Sequence, residues 1–343
     1  MQEFMERIAR YAEHRLPDAV SVRVKELHRI HGGASRETYR VCLAIRDRNG
    51  KEGEQRWVLR RDPEGSLIET ERRNEFDAYS AFHGTCVPVP RPLWLEENLD
   101  WLDRPFFVME EVRGCESSPQ ALLAPPYEQH GERIGEQAWR ILGEIARTDP
   151  VSVGLEGRME RPMPEDCWRR ELERWERVID EDAPCPQPIG RAALRWLRRN
   201  PPTAAQKLSV VHADFRTGNF LVDPSGEIRA ILDWEMAHLG DPLEDLAWSL
   251  NRVWCWARDD RVGGLIPREH AIRVWEKSSG LVADPAALHW WELFSSVKGL
   301  AIWLSSGDEY TRGKNQDPIL AFTSWWLPNA QDRAILETMG HLR

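Results

Sequence analysis

Within residues 210–245, VVHADFRTGNFLVDPSGEIRAILDWEMAHLGDPLED, four polar side chains stand at a spacing suited to phosphoryl transfer: His212, Asp214, Asn219 and Asp233. Such a transfer needs a carboxylate to orient and deprotonate the attacking hydroxyl. It also needs hard oxygen ligands for the magnesium ions that neutralise nucleotide phosphates. Asp214 suits the first task, Asn219 and Asp233 the second. A lone H-x-D is common, and a single Asp or Asn near a turn usually serves turn chemistry. Four such positions followed by Gly240-Asp241-Pro242 outweigh that reading. A metal-dependent hydrolase would need further His and Asp ligands around paired metals, whereas the other histidines are scattered through the chain.

The elements around these residues follow from local pattern. Apolar Leu208, Val210 and Val211 lead into His212, and Phe220-Leu221-Val222 forms a short strand, so Asp214 and Asn219 fall on a loop between them. Asp223-Pro224-Ser225-Gly226 reads as a tight turn, and Ile228 to Leu232 as the returning strand that delivers Asp233. A hairpin therefore holds both candidate metal ligands at one edge. Gly240-Asp241-Pro242 and the run Glu244 to Trp248 predict a loop capped into a helix. Asp241 or Asp245 is placed to brace the catalytic loop.

The segment resembles the aminoglycoside phosphotransferase and choline kinase family, whose H-x-D-x-x-x-x-N and I-D-W-E-x-x-x-x-G-D-P-x-x-D-L-A motifs it matches, with Leu232 beside Ile231 as the mismatch. The resemblance extends over nearly the whole chain and is weakest at both ends. It implies an α+β, protein-kinase-like bilobal fold: a small lobe over 1–112 that binds nucleotide, and a largely helical lobe over 113–343 for catalysis and acceptor binding. It implies Asp214 as the catalytic base, His212 as the organiser of the loop, and Asn219 and Asp233 as magnesium ligands. The segment Phe107 to Gly114 resembles the family's hinge, so backbone groups of Glu110 and Val112 would meet the adenine of ATP.

The first lobe reads as three antiparallel strands between Ser21 and Arg61, with Asn49-Gly50 as a hairpin turn. A helix follows, carrying Glu75, Phe76, Tyr79 and Phe82, and then two strands around Leu93–Leu95 and Phe106–Met109. Gly32, Gly33, Ala34 and Ser35 lie between the first two strands, where glycines let backbone N–H groups approach phosphate oxygens. No Walker-type G-x-x-x-x-G-K-[ST] occurs. Kinases usually hold phosphates with a third-strand lysine paired to a helix glutamate, yet no lysine stands between Lys51 and Lys207. Arg60 takes that position, with Glu75 the first choice of partner and Glu71 the second; Arg61 points the other way.

The chain of 343 residues, 41% hydrophobic, can bury a core large enough for two lobes. A net charge of −10 argues against nucleic acid or anionic membrane as partner. The N-terminal segment, with Phe4, Ile8 and Tyr11 on one helical face, lacks the apolar core of a signal peptide, and no stretch approaches a membrane span. Six dispersed cysteines favour reduced thiols, so a cytoplasmic location is expected. Past Gly114, Trp168, Leu172, Trp175, Val178 and Ile179 make an apolar helical stripe, and most of the tryptophans pack the second lobe.

The acceptor implied by the resemblance is a small molecule with a free hydroxyl. The wording HADFRTGNF and DWEMAHLGDP is most similar to kinase-like domains related to those fused to acyl-CoA dehydrogenases, which implies a 4-hydroxyacyl-CoA. An aminoglycoside is the second acceptor, with Asp308-Glu309 or Glu181-Asp182 as candidate cation binders. Arg169, Arg170 and Arg174 are candidates for holding the CoA phosphates, against the plainer reading of a solvated helix face. A nucleotide-binding pseudokinase that regulates a partner is a third reading, which intact Asp214, Asn219 and Asp233 oppose.

Overall fold

The computed structural model describes residues 1–30, 37–62, 69–255, 260–314 and 317–342. An amphipathic helix α1 (Gln2–Arg15) buries Ile8, Tyr11 and Ala12. It precedes β1 (Ala19–Ile30), β2 (Glu37–Asp47) and β3 (Glu52–Arg61), then α2 (Glu69–Phe82), β4 (Pro92–Glu96), α3 (Leu99–Leu102) and β5 (Phe106–Glu110). The five strands form one antiparallel sheet in the order β1-β2-β3-β5-β4. The expected turn at Asn49-Gly50 joins β2 to β3, and Gly50 adopts φ +77°, a conformation that favours glycine. Val22, Val24, Val41, Leu43, Trp57, Leu59 and Val108 pack against α1 to form a core of their own.

Beyond β5 come α4 (Pro119–Leu122), α5 (Gly131–Arg147), α6 (Cys167–Asp182), α7 (Pro188–Arg199), β6 (Ser209–Val211), β7 (Phe220–Val222), β8 (Ile228–Ile231) and β9 (His238–Gly240). The chain continues through α8 (Pro242–Leu250), β10 (Arg261–Val262), β11 (Ile266–Pro267), α9 (Arg268–Ser279), α10 (Pro285–Thr311) and α11 (Pro318–Thr338). The α6 stripe buries Leu172, Trp175 and Ile179 as its spacing predicts. Helix α10 is the axis of this region and packs against α6, α7, α8 and α11. Buried Trp248, Trp275, Trp290 and Trp291 fill the helical core, whereas Trp325 and Trp326 on α11 are exposed. The larger core extends into the first lobe through Tyr79, Phe82, Phe107 and Met109. There the Phe82 ring stacks on Trp234, with centroids 4.8 Å apart.

The predicted hairpin is present as the antiparallel pair β7–β8. A second pair, β6–β9, was not foreseen; each strand has three residues, too few to show periodicity. Asp241 caps α8 by accepting from Leu243 N at 2.9 Å, with Pro242 in the first turn. All six cysteines are free thiols. No helix among the described residues is long and apolar enough to cross a membrane.

Candidate active site

Strand β6 ends at Val211, and the loop that opens at His212 is held from below by one carboxylate. Asp245, in the first turn of α8, accepts from His212 N at 2.6 Å through Oδ2 and from Ala213 N at 2.7 Å through Oδ1. Of the two expected braces, Asp245 fills the role, while Asp241 caps α8 and accepts from Trp291 Nε1 at 3.1 Å. Ala213 sits at φ +69°, a left-handed conformation costly for a residue with a Cβ. The His212 ring is fully buried. Its Nδ1 accepts from Asp214 N at 3.1 Å, so Nε2 carries the proton and donates to Leu232 O at 2.9 Å. Burial pushes the imidazole pKa down to about 4, which keeps the ring neutral. With both nitrogens engaged by backbone, His212 ties the loop to the end of β8.

Asp214 is surrounded by donors. Its Oδ1 accepts from Trp248 Nε1 at 2.9 Å and Arg216 Nε at 3.1 Å, and its Oδ2 accepts from Asn219 Nδ2 at 2.7 Å. The Asn219 amide nitrogen also donates to Asp214 O at 2.9 Å. Both partners are acceptors, which fixes the amide so that its oxygen turns away from Asp214. Asn219 O in turn accepts from Leu232 N at 2.8 Å, joining the loop to the segment that carries Asp233.

Asp233 also lies in the left-handed region, at φ +69°, and its amide donates to the Tyr79 hydroxyl on α2 at 3.0 Å. Its Oδ1 accepts from Arg60 Nη1 at 3.1 Å and Nη2 at 3.0 Å. Burial raises the Asp233 pKa, but the Arg60 charge outweighs it and the net shift is downward. Among the described residues neither Asp233 Oδ2 nor Asn219 Oδ1 accepts a hydrogen bond. Two hard oxygens without protein donors, one from a carboxylate and one from an amide, fit a magnesium ion.

Arg60 meets its expected partner. Its Nη1 lies 2.7 Å from Glu75 Oε1, and its Nη2 lies 3.3 Å from Glu235 Oε2, so three carboxylates converge on one guanidinium. Burial disfavours the Arg60 charge, but Glu75 and Asp233 outweigh it and hold the group firmly protonated. Arg61 faces away, pairs with Glu37 and stacks over the Phe4 ring at 4.6 Å. Glu110 closes β5 opposite Trp57, and its amide donates to Arg91 O at 2.9 Å. Among the described residues Val112 N–H makes no backbone hydrogen bond, which leaves a donor for a ligand. Gly32, Gly33, Ala34 and Ser35 lie outside the described residues, as does the Glu71 side chain.

Sequence reasoning missed Arg216, Trp248, Tyr79 and Glu235. Arg216 lies inside the motif window, between Asp214 and Asn219, and its guanidinium stacks over Trp254 at 4.8 Å. Trp248 and Tyr79 read as apolar core positions, and hydropathy pattern carries no information on where an indole N–H or phenol O–H points.

The phosphotransferase enzyme family matches residues 26–281. Acyl-CoA dehydrogenase family member 11 of Gallus gallus is 30% identical over 203 residues, which is 58% of this chain and 25% of that protein. Family member 10 of Mus musculus is 29% identical over 231 residues, 65% of this chain and 20% of that protein. The chain thus spans about a quarter of the length of these curated relatives. Among solved structures, a putative aminoglycoside phosphotransferase from Ralstonia eutropha superposes with a TM-score of 0.75 at 19% identity, covering 98% of this chain and 99% of that one. The kinase-like fold is therefore shared across the full described length, and the match over residues 26–281 establishes that the chain belongs to the phosphotransferase enzyme family.

Proposed function

We propose that this phosphotransferase moves the γ-phosphate of ATP to a hydroxyl of a small molecule, with a hydroxyacyl-CoA as the preferred acceptor. The observation that carries the reading is that Asn219 bonds Asp214 through its amide nitrogen and Leu232, the residue before Asp233, through its backbone carbonyl, while among the described residues Asp233 Oδ2 and Asn219 Oδ1 accept no hydrogen bond. Asp214 orients the hydroxyl and takes up its proton, and Trp248 and Asn219 fix the carboxylate for that task. Asn219 and Asp233 hold magnesium, which supplies the positive charge that phosphoryl transfer requires. Arg60, poised against Asp233, contacts phosphate, and backbone groups of Glu110 and Val112 meet adenine. In this reading residues 1–112 form the nucleotide-binding lobe and 113–343 the catalytic and acceptor-binding lobe.

The acceptor class rests on the similarity to acyl-CoA dehydrogenase family members 10 and 11, whose names point to acyl-CoA chemistry. A cavity of about 670 Å³ beside Glu235 and Met236 is lined by arginines and acids in equal number, so only arginines in it that lack an acidic partner could hold an acceptor's phosphate groups. Arg169 and Arg170 are already paired with Asp166 and Glu160, so Arg174 and Arg177 are the better candidates. Asp308, one of the acids considered for binding an aminoglycoside, is engaged by Arg312 at 2.8 Å. A kinetic panel of 4-hydroxyacyl-CoA and kanamycin-type acceptors tests the assignment. The expected result is a kcat/KM above about 10⁴ M⁻¹s⁻¹ for the hydroxyacyl-CoA, the lower end for ordinary enzymes. Turnover of the aminoglycosides alone would overturn the acceptor and leave the phosphotransferase reading standing.

A further inference from the structure

Helix α10 carries one lysine within its apolar run Leu293 to Leu304, and that lysine is buried. Lys298 Nζ donates to Ala213 O at 2.7 Å and to Glu244 Oε1 at 3.0 Å. The ammonium lies 4.9 Å from the centroid of Trp248 and 5.6 Å from that of Trp175, so two indole faces flank it. Glu244 Oε2 also meets His238 Nε2 at 3.2 Å, and Glu171 Oε1 lies 3.7 Å from the same nitrogen. Burial lowers the His238 pKa, but Glu171 and Glu244 outweigh it and raise it to about 9. Lys298 and protonated His238 therefore face Glu171 and Glu244 in one buried cluster. Although Glu171, His238 and Glu244 are spaced to hold a metal, Lys298 and protonated His238 already supply the counter-charge.

Charge compensation alone does not explain the lysine, because a buried ion pair is readily replaced by apolar side chains with little loss of stability. What an apolar residue could not supply is the donor to Ala213 O. That carbonyl belongs to a left-handed residue in an irregular loop immediately before Asp214. The second contact is with the ring of Trp248, whose Nε1 donates to Asp214 Oδ1. We propose that Lys298 is a positioning residue for Asp214, acting through the Ala213 carbonyl on one side and the Trp248 ring on the other. The proposal rests on the reading of Asp214 as the group that orients the acceptor hydroxyl.

The test compares Lys298→Met, Lys298→Met/Glu244→Gln and Lys298→Gln/Glu244→Gln in the whole chain, the double variants removing one charge of each sign should the single one fail to fold. ADP release is followed with 4-hydroxyacyl-CoA and with water as acceptor, ADP binding by calorimetry, and amide exchange of residues 212–214 by mass spectrometry. The Met/Gln variant is expected to bind ADP as the wild type does, lose roughly 10- to 100-fold in turnover, the scale of a small misplacement of reacting groups, and exchange faster at 212–214. The Gln/Gln variant, which keeps a donor, should recover part of both. Wild-type turnover and exchange in the Met/Gln variant would overturn the proposal and leave Lys298 as charge compensation only. If Asp214→Asn itself turned over like the wild type, the assignment of the base would fail, and the exchange rates would still decide whether Lys298 orders the loop.

Discussion

Arg60 holds Glu75, Asp233 and Glu235 together, so its removal has two separable consequences. Glu75 is fully buried, and a buried carboxylate stripped of its cation typically costs about 3–5 kcal/mol. Arg60→Ala is therefore expected to lower the urea midpoint strongly as well as raise the KM for ATP. Arg60→Lys should restore part of each, since an ammonium cannot span three carboxylates as the guanidinium fork does. Full restoration by lysine would show that charge alone matters. Asp233→Ala addresses the metal: the thermal shift from ATP should lose its dependence on Mg²⁺, whereas an unchanged metal dependence would remove Asp233 from that role. At this scale the sequence was informative where chemistry is coded by residue type and spacing. Type and spacing singled out Asp214, Asn219 and Asp233 as candidates whose roles came from the resemblance, and the expected contact between Arg60 and Glu75 is present. Glu235 could not be singled out, because it faces Arg60 only once the turn after Asp233 is folded.

At the scale of elements, the site depends on contacts between pieces far apart in sequence. Tyr79 on α2 accepts from Asp233 N, so the same helix supplies Glu75 to Arg60 and a hydroxyl to the backbone of the candidate metal ligand. Tyr79→Phe removes that acceptor while keeping the ring. It should cost about 1 kcal/mol of stability, the usual net worth of a hydrogen bond, and weaken Mg²⁺-dependent nucleotide binding measured by calorimetry. Unchanged binding would confine Tyr79 to packing. The β7–β8 hairpin and the capped α8 were legible from turn chemistry and a capping signature. Helix α10 was not, because it is buried on nearly all sides and shows no apolar stripe against a polar face.

For the whole molecule, pattern separated a stranded first part, alternating through residue 61, from a helical part after residue 114, and the two cores follow that division, whereas the kinase-like bilobal fold came from the resemblance. The reach of the larger core into α2 and β5 is a tertiary result that no local window contains. The buried charge cluster also sets a pH signature. His238 has a folded pKa of about 9, above the roughly 6.5 of an unfolded histidine. Its contribution to stability is therefore fully present below about pH 6.5 and lost as pH rises toward 9. Thermal melts across that window should show a decline that His238→Gln reduces, chiefly above about pH 7, because Asp245, pushed up to about 7 by burial, titrates at the lower end; an equal decline in the variant would place the titrating group elsewhere. The central claim is that Asp214 orients and deprotonates the acceptor hydroxyl, and Asp214→Asn tests it most directly. ADP binding should remain near wild type while turnover falls by roughly 10²- to 10⁴-fold, the usual worth of a positioned general base; turnover close to wild type would contradict the account.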